Sequence, residues 1–135
     1  MPGYSGTPLP KKLGIKAGFR VWMANAPAEV RAELRETLAE CKLARPGDEL
    51  DFAMVFAKSR VELAKEFLKT EKRLALAGML WASWPKKSSG VATDLDDNVV
   101  RVIGLDAGLV DVKVCAVTET WSGLKFVRRL KDRKG

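Results

Sequence analysis

From Arg20 onward the chain alternates short, nearly continuous apolar runs with longer stretches whose apolar positions recur every three or four residues. Arg20 to Ala26 (RVWMANA) reads as a first strand. Pro27 opens a helix, where a missing N–H costs nothing, and Val30, Leu34, Leu38 and Cys41 fall on one stripe of it. Pro46-Gly47 ends that region. Leu50 to Ala57 (LDFAMVFA), apolar throughout after Asp51, predicts a strand covered on both faces. Ser59 and Glu62 form a capping box for a second helix, with Leu63, Phe67 and Leu74 along its buried side until Gly78. Gly78 to Trp84 (GMLWASW) is the third strand, and the polar loop Pro85 to Gly90 follows. Thr93 or Asp94 caps a third helix carrying Leu95, Val99, Val102 and Ile103, closed at Gly108. Val110, Val112, Val114 and Ala116 then alternate with mostly polar neighbours, and Ser122-Gly123 turns the chain into Leu124–Leu130. That is a hairpin of half-exposed strands.

Strand and helix repeated three times, then a hairpin, predicts a three-layer α/β domain with a mostly parallel five-stranded sheet. Residues 1–19 form an arm punctuated by Gly3, Gly6, Pro8, Pro10, Gly14 and Gly18. Residues 20–130 are the domain, and 131–135 a basic tail with no apolar residue to dock, expected to be disordered. Trp22, Trp81 and Trp84 lie in strands and are expected in the core or half-buried at its margin. There is no internal repeat.

Charge changes the picture less than its total suggests. The formal net charge of +7 resolves into +4 in residues 1–20, +4 in residues 128–135 and −1 across the 107 residues between. The basicity belongs to the ends and does not describe a nucleic-acid-binding face. The chain has no histidine, which removes Ser-His-Asp and Cys-His catalysis and histidine-ligated zinc. Cys41 and Cys115 lie 74 positions apart, so no CxxC motif exists, and both read as reduced, buried thiols. No apolar run approaches a membrane span and no signal peptide is evident; the expected compartment is the cytoplasm.

Four segments carry a resemblance: GYSGTPL (Gly3–Leu9), KKLGI (Lys11–Ile15), WPKKSSGVATDL (Trp84–Leu95) and VDVKVCAVTETWSGLKFVRR (Val110–Arg129). They resemble a family of small bacterial proteins grouped only as a domain of unknown function. The layout as a whole looks like a shortened class I methyltransferase. The likeness implies a Rossmann-like sheet of order 1-2-3-5-4 with strand 5 antiparallel, and the second and third strands of the full fold missing. It does not carry the cofactor over. An S-adenosylmethionine site requires a glycine-rich turn after strand 1, whereas Met23-Ala24-Asn25-Ala26-Pro27 has no glycine. The acid that ends strand 2 and binds the ribose has no counterpart. No cofactor, metal or catalytic residue is expected.

In open α/β sheets ligands sit outside the carboxyl ends of the parallel strands. The connections meeting there offer Asn25, Arg60, Lys86, Lys87, Ser88, Ser89, Glu119 and Trp121, with two helix N-termini whose N–H groups are free. Cations, hydroxyls and helix N-termini are the parts of an anion site. Each has a plainer reading: Lys86 and Lys87 as a solvated loop, Ser88 and Ser89 as turn residues, Trp121 as packing instead of a stacking platform. Asp94, Asp96 and Asp97 at a helix start favour its macrodipole. Gly3–Leu9 is expected to fold over Lys86–Gly90 and Trp121 as a lid. Three classes of function remain open. The first is a non-catalytic methyltransferase-like domain holding a small anion or a protein partner at the carboxyl edge. The others are a reduced S-adenosylmethionine-dependent transferase and a nucleic-acid-associated basic protein.

Overall fold

The computed structural model describes residues 7–133. Its elements run α1 (Leu9–Leu13), β1 (Arg20–Ala24), α2 (Ala28–Ala39), β2 (Lys42–Leu43), β3 (Leu50–Phe56), α3 (Arg60–Glu71), β4 (Leu74–Pro85), α4 (Asp97–Asp106), β5 (Leu109–Ala116) and β6 (Trp121–Arg128). They build one six-stranded sheet of order β2-β1-β3-β4-β6-β5. β1 pairs in parallel with β2 and β3, and β3 with β4, while β6 runs antiparallel between β4 and β5.

The sheet therefore has one strand more than the five expected. β2 is two residues long and exposed, with Leu43 79% accessible, so no hydrophobic pattern announces it. Its brevity has a covalent cause. Lys42 N–H donates to Phe19 O and Ala44 N–H to Val21 O. The next rung in this register falls on Pro46, which has no N–H to give.

Every residue of β3 but Asp51 is buried, which follows from its central position and explains its unbroken apolar run. On one face Leu63 and Phe67 of α3 and Val100 of α4 pack on Ala53, Val55, Leu80, Leu124 and Phe126. On the other, Leu9 and Leu13 of α1 and Val30 and Leu34 of α2 pack on Phe52, Met54, Phe56, Trp81 and Trp121. Trp22 lies at the margin, 38% exposed, with the Arg73 guanidinium 5.7 Å from its ring centre.

Two element boundaries differ from expectation. The second helix stops at Glu71 and the third strand begins at Leu74, four residues before Gly78. Arg128 holds the chain at that point, donating to Glu71 O at 3.0 Å and Leu74 O at 2.6 Å, and Leu50 N–H donates to Arg73 O. The hairpin turns at 117–120, not at Ser122-Gly123. There Thr118 Oγ1 accepts from the N–H groups of Thr120 and Trp121, both at 3.1 Å. Gly123 lies within β6, where the Trp81 ring and Val117 occupy the space a side chain would need.

The expected arm is structured where it is described. Lys12 Nζ donates to Ala116 O (2.8 Å), Lys113 Nζ to Lys12 O (3.1 Å) and Trp81 Nε1 to Leu13 O (2.9 Å). Leu9 joins the core cluster of Trp121, as a lid would require; Gly3–Gly6 lie outside the described residues. Of the tail, residues 131–133 are described: Leu130–Asp132 forms a 3₁₀ turn beside an Arg129–Asp132 ion pair, and 134–135 lie outside the described residues.

Asp51 anchors the start of the sheet. Its carboxylate accepts from Arg20 N–H and from both Nε and an Nη of the Arg20 guanidinium. The side-chain hydrogen bond from Arg20 holds the Asp51 carboxyl below its ordinary range, against the opposing effect of partial burial. A depressed carboxyl pKa stabilises the fold above the unfolded-state value and loses that contribution as pH falls through the folded value. Urea midpoints of wild type and Asp51→Asn should accordingly differ at neutral pH and converge in acid as the pH falls through the depressed Asp51 value. An unchanged gap at both pH values would contradict this.

Candidate functional site

β1, β3 and β4 end at one edge of the sheet, and the β5–β6 turn meets them there. Asn25 closes β1 with φ of 60°, a left-handed conformation that asparagine tolerates, and its Nδ2 donates to Phe56 O at 3.3 Å. This side chain bridges the ends of β1 and β3. Behind it Phe56 and Trp121 meet edge to face, ring centres 5.3 Å apart. Trp121, 8% exposed, packs in the core and offers no open face for stacking.

The N-termini of α3 and α4 at this edge are not free for an external anion, whereas α2, which starts after Pro27, has no side-chain cap. At α3, Ser59 Oγ accepts from Glu62 N–H and Glu62 Oε1 from Lys58 N–H, while Asp94 Oδ1 accepts from Arg60 N–H at 2.8 Å. At α4 the cap is Asp96, whose Oδ1 accepts from Val99 N–H at 2.8 Å, rather than Thr93 or Asp94. Thr93 instead ties its loop to α3 by donating from Oγ1 to Lys58 O. The chain's own carboxylates thus take the places an anion would occupy, and they draw the β4–α4 connection across the sheet edge.

That connection begins with a 3₁₀ turn at Lys87–Ser89. Ser89 Oγ donates to Lys86 O at 2.6 Å and accepts from Val91 N–H, so this hydroxyl shapes the turn. Lys86 N–H donates to Thr120 O, fastening the loop to the β5–β6 turn. Beside it opens a cleft of about 410 Å³. It is lined by Lys86 and Lys87, by Asp96, Asp97 and Asn98, and by the apolar Trp84, Leu95 and Val114.

Of the eight residues singled out from sequence, the structure brings Lys86 and Lys87 together in this cleft, with Ser88 and Ser89 in the adjoining turn. Arg60 lines a different hollow, between α3 and α4. Asn25 and Trp121 contact Phe56 on the inner side of the edge, and Glu119 is exposed in the β5–β6 turn. Asp97, Asn98 and Trp84 were missed as cleft residues. The run Asp94–Asn98 was the available signal, and the helix-start reading of it did not bring it to the cleft.

Both thiols rest protonated at neutral pH. Burial pushes Cys41 up, and it pushes Cys115 up against the weaker downward pull of Lys12, Lys113 and Lys86. Lys125 stands directly across from Lys113, and burial together with that neighbour lowers its pKa. No cluster of three potential metal ligands occurs among the described residues, and none of their helices is long and apolar enough to cross a membrane.

The crevice between β1 and β3 does not fit S-adenosylmethionine. Asn25 spans it, the turn Asn25-Ala26-Pro27 has no glycine to admit the ligand, and β2 is followed by Ala44 and Arg45, with no carboxylate for a ribose.

No family model matches the chain, and no curated protein matches it in sequence. Solved structures do match in fold. Magnesium protoporphyrin IX methyltransferase from Synechocystis, solved with bound SAH, aligns with a TM-score of 0.58 at 11% identity, over 84% of this chain and 75% of that one. A precorrin-6y C5,15-methyltransferase from Geobacter metallireducens gives 0.56 at 10% identity, over 90% and 86%. The fibrillarin pre-rRNA processing protein of Methanococcus jannaschii gives 0.54 at 11%, over 92% and 70%. The chain has a methyltransferase-like fold. Identity this low speaks for the fold alone.

Proposed function

We propose that this chain is a non-catalytic, methyltransferase-like binding domain that holds a small organic anion at the carboxyl edge of its sheet. The observation that carries the reading is the cleft after β4, which Lys86 and Lys87 line together with the apolar Trp84. Two ammonium groups supply the charge for a carboxylate or phosphate, and the indole edge and Leu95 accept an apolar body. Asp96, Asp97 and Asn98 line the same cleft and select ligands that also present a hydrogen-bond donor or a cationic group. The crevice where the related fold holds S-adenosylmethionine is bridged by Asn25, which argues for a loss of that cofactor instead of a variant way of binding it.

Amide-resolved NMR titration of the full chain with inorganic phosphate and, separately, S-adenosylmethionine tests this. Phosphate should produce saturable shifts centred on residues 86–89 and Asn98, abolished in Lys86→Ala/Lys87→Ala with the melting temperature unchanged. Saturable binding of S-adenosylmethionine at Asn25–Pro27 would replace this reading with the reduced transferase. Unsaturable shifts spread over all lysines would leave only nonspecific ion pairing and overturn the site.

A further inference from the structure

Half of α4's ten residues are valine, isoleucine or leucine, and they are not confined to one side. Val100 is buried against the sheet, yet Val102 and Leu105 remain 55% and 47% exposed. On the parallel neighbour α3, Val61 and Leu68 are 80% and 54% exposed. The apolar stripe of α4 thus extends past the side that meets the sheet, and Val102 and Leu105 continue it onto the open surface beside α3.

Between the two helices runs a trough made of adjoining hollows of about 340 and 150 Å³. Both hollows are lined by Ala64 and Ile103, and the small side chain of Ala64 leaves the depression. The ends differ in sign: Arg60 beside Asn98 at one, Asp106 beside Leu68 at the other.

We propose that this face is a homodimer interface, two copies meeting with their troughs antiparallel about a two-fold axis. Rotation by 180° sets Arg60 of each copy over Asp106 of the other, so the polar ends complement themselves as an isologous contact demands. The opposite signs of the two ends make the face complementary to itself, which points to a second copy as its occupant. Molecules carrying +7 repel one another across most approaches. The charged residues lining the trough are Arg60 and Asp106, so this face adds no net charge to that repulsion. This proposal stands apart from the anion cleft, whose Lys86 and Lys87 line neither hollow.

Sedimentation velocity of the full chain across the micromolar range tests it. The weight-average sedimentation coefficient should rise from monomer to dimer with concentration. Val102→Glu should raise the dissociation constant at least about tenfold, with circular dichroism and melting temperature confirming the fold. Val112→Glu, comparably exposed at 53% but on β5, should leave association unchanged. Arg60→Glu alone should weaken the dimer, and Arg60→Glu/Asp106→Arg should restore it, a rescue that holds even if the Val102 variant folds poorly. A monomer at every concentration overturns the proposal, as does a dimer indifferent to Val102→Glu. Failure of the charge swap to rescue overturns the antiparallel arrangement.

Discussion

Gly104→Ala should destabilise the protein by about 3 kcal/mol, although it replaces the weakest non-proline helix former with the strongest. In an exposed helix interior the same change stabilises by roughly 1 kcal/mol, because alanine has less backbone freedom to lose. At this position in α4 the ring of Phe126 lies where the new methyl group must go. Phe126 has little freedom to retreat: it is fully buried and meets Phe67 edge to face at 5.2 Å. The helix must lift from β6, loosening Val100 and Leu109 with it. Urea denaturation should show the loss, and Tm should fall by on the order of 10 °C. A rise in Tm would mean that α4 is not seated against Phe126.

The second large effect concerns Trp81. This indole is fully buried beneath residues 9–15, and its N–H donates to Leu13 O at 2.9 Å. Trp81→Ala removes the packing and the donor together and should cost about 3–5 kcal/mol. Trp81→Phe keeps most of the ring and leaves the Leu13 carbonyl without its partner, costing about 1–3 kcal/mol. The two variants separate by what happens to α1. Lys12, 8% exposed in the native protein, should become an early tryptic site in the alanine variant, together with Lys11 and Lys16. The phenylalanine variant should remain nearly as resistant as wild type. Equal stability of Trp81→Phe and wild type would show that the Leu13 bond contributes nothing.

How far the architecture could be read beforehand depended on whether each element's cause was local. β3 announced itself because a central strand is apolar on both faces. α3 did so because its Ser59 cap and its stripe of Leu63 and Phe67 lie within a dozen residues. Leu74-Ala75-Leu76-Ala77 reads as more helix by the same local logic, since leucine and alanine are strong helix formers. What ends the helix is Arg128, arriving from 54 positions away. Gly123 misled for a similar reason. Beside a serine it resembles a turn, but its role is to make room for Trp81 on the neighbouring strand. Two residues of β2 carry no periodic signal at all, and α1 is too short and too close to proline and glycine to show one. The candidate site divided along the same line. Lys86 and Lys87 were found because a loop after a parallel strand must reach the carboxyl edge. Asp97 and Asn98 were not, because placing them in the same cleft depends on how α4 lies against the sheet. Arg60 was set beside the lysines by topology, yet its side chain belongs to the α3–α4 trough.

The contact between Lys12 and Ala116 joins residues 104 positions apart, and this separation has a temporal meaning. During synthesis α1 is made before most of the surface that receives it: Trp81 follows about 70 residues later, and Val117 and Trp121 more than 100. At ordinary translation rates the segment waits about 5–20 s with Leu9 and Leu13 exposed. Its docking is then a late event that registers whether the final hairpin has been made. A nascent chain halted before β6 lacks Val117 and Trp121, and so lacks part of the surface on which Leu9 and Leu13 pack.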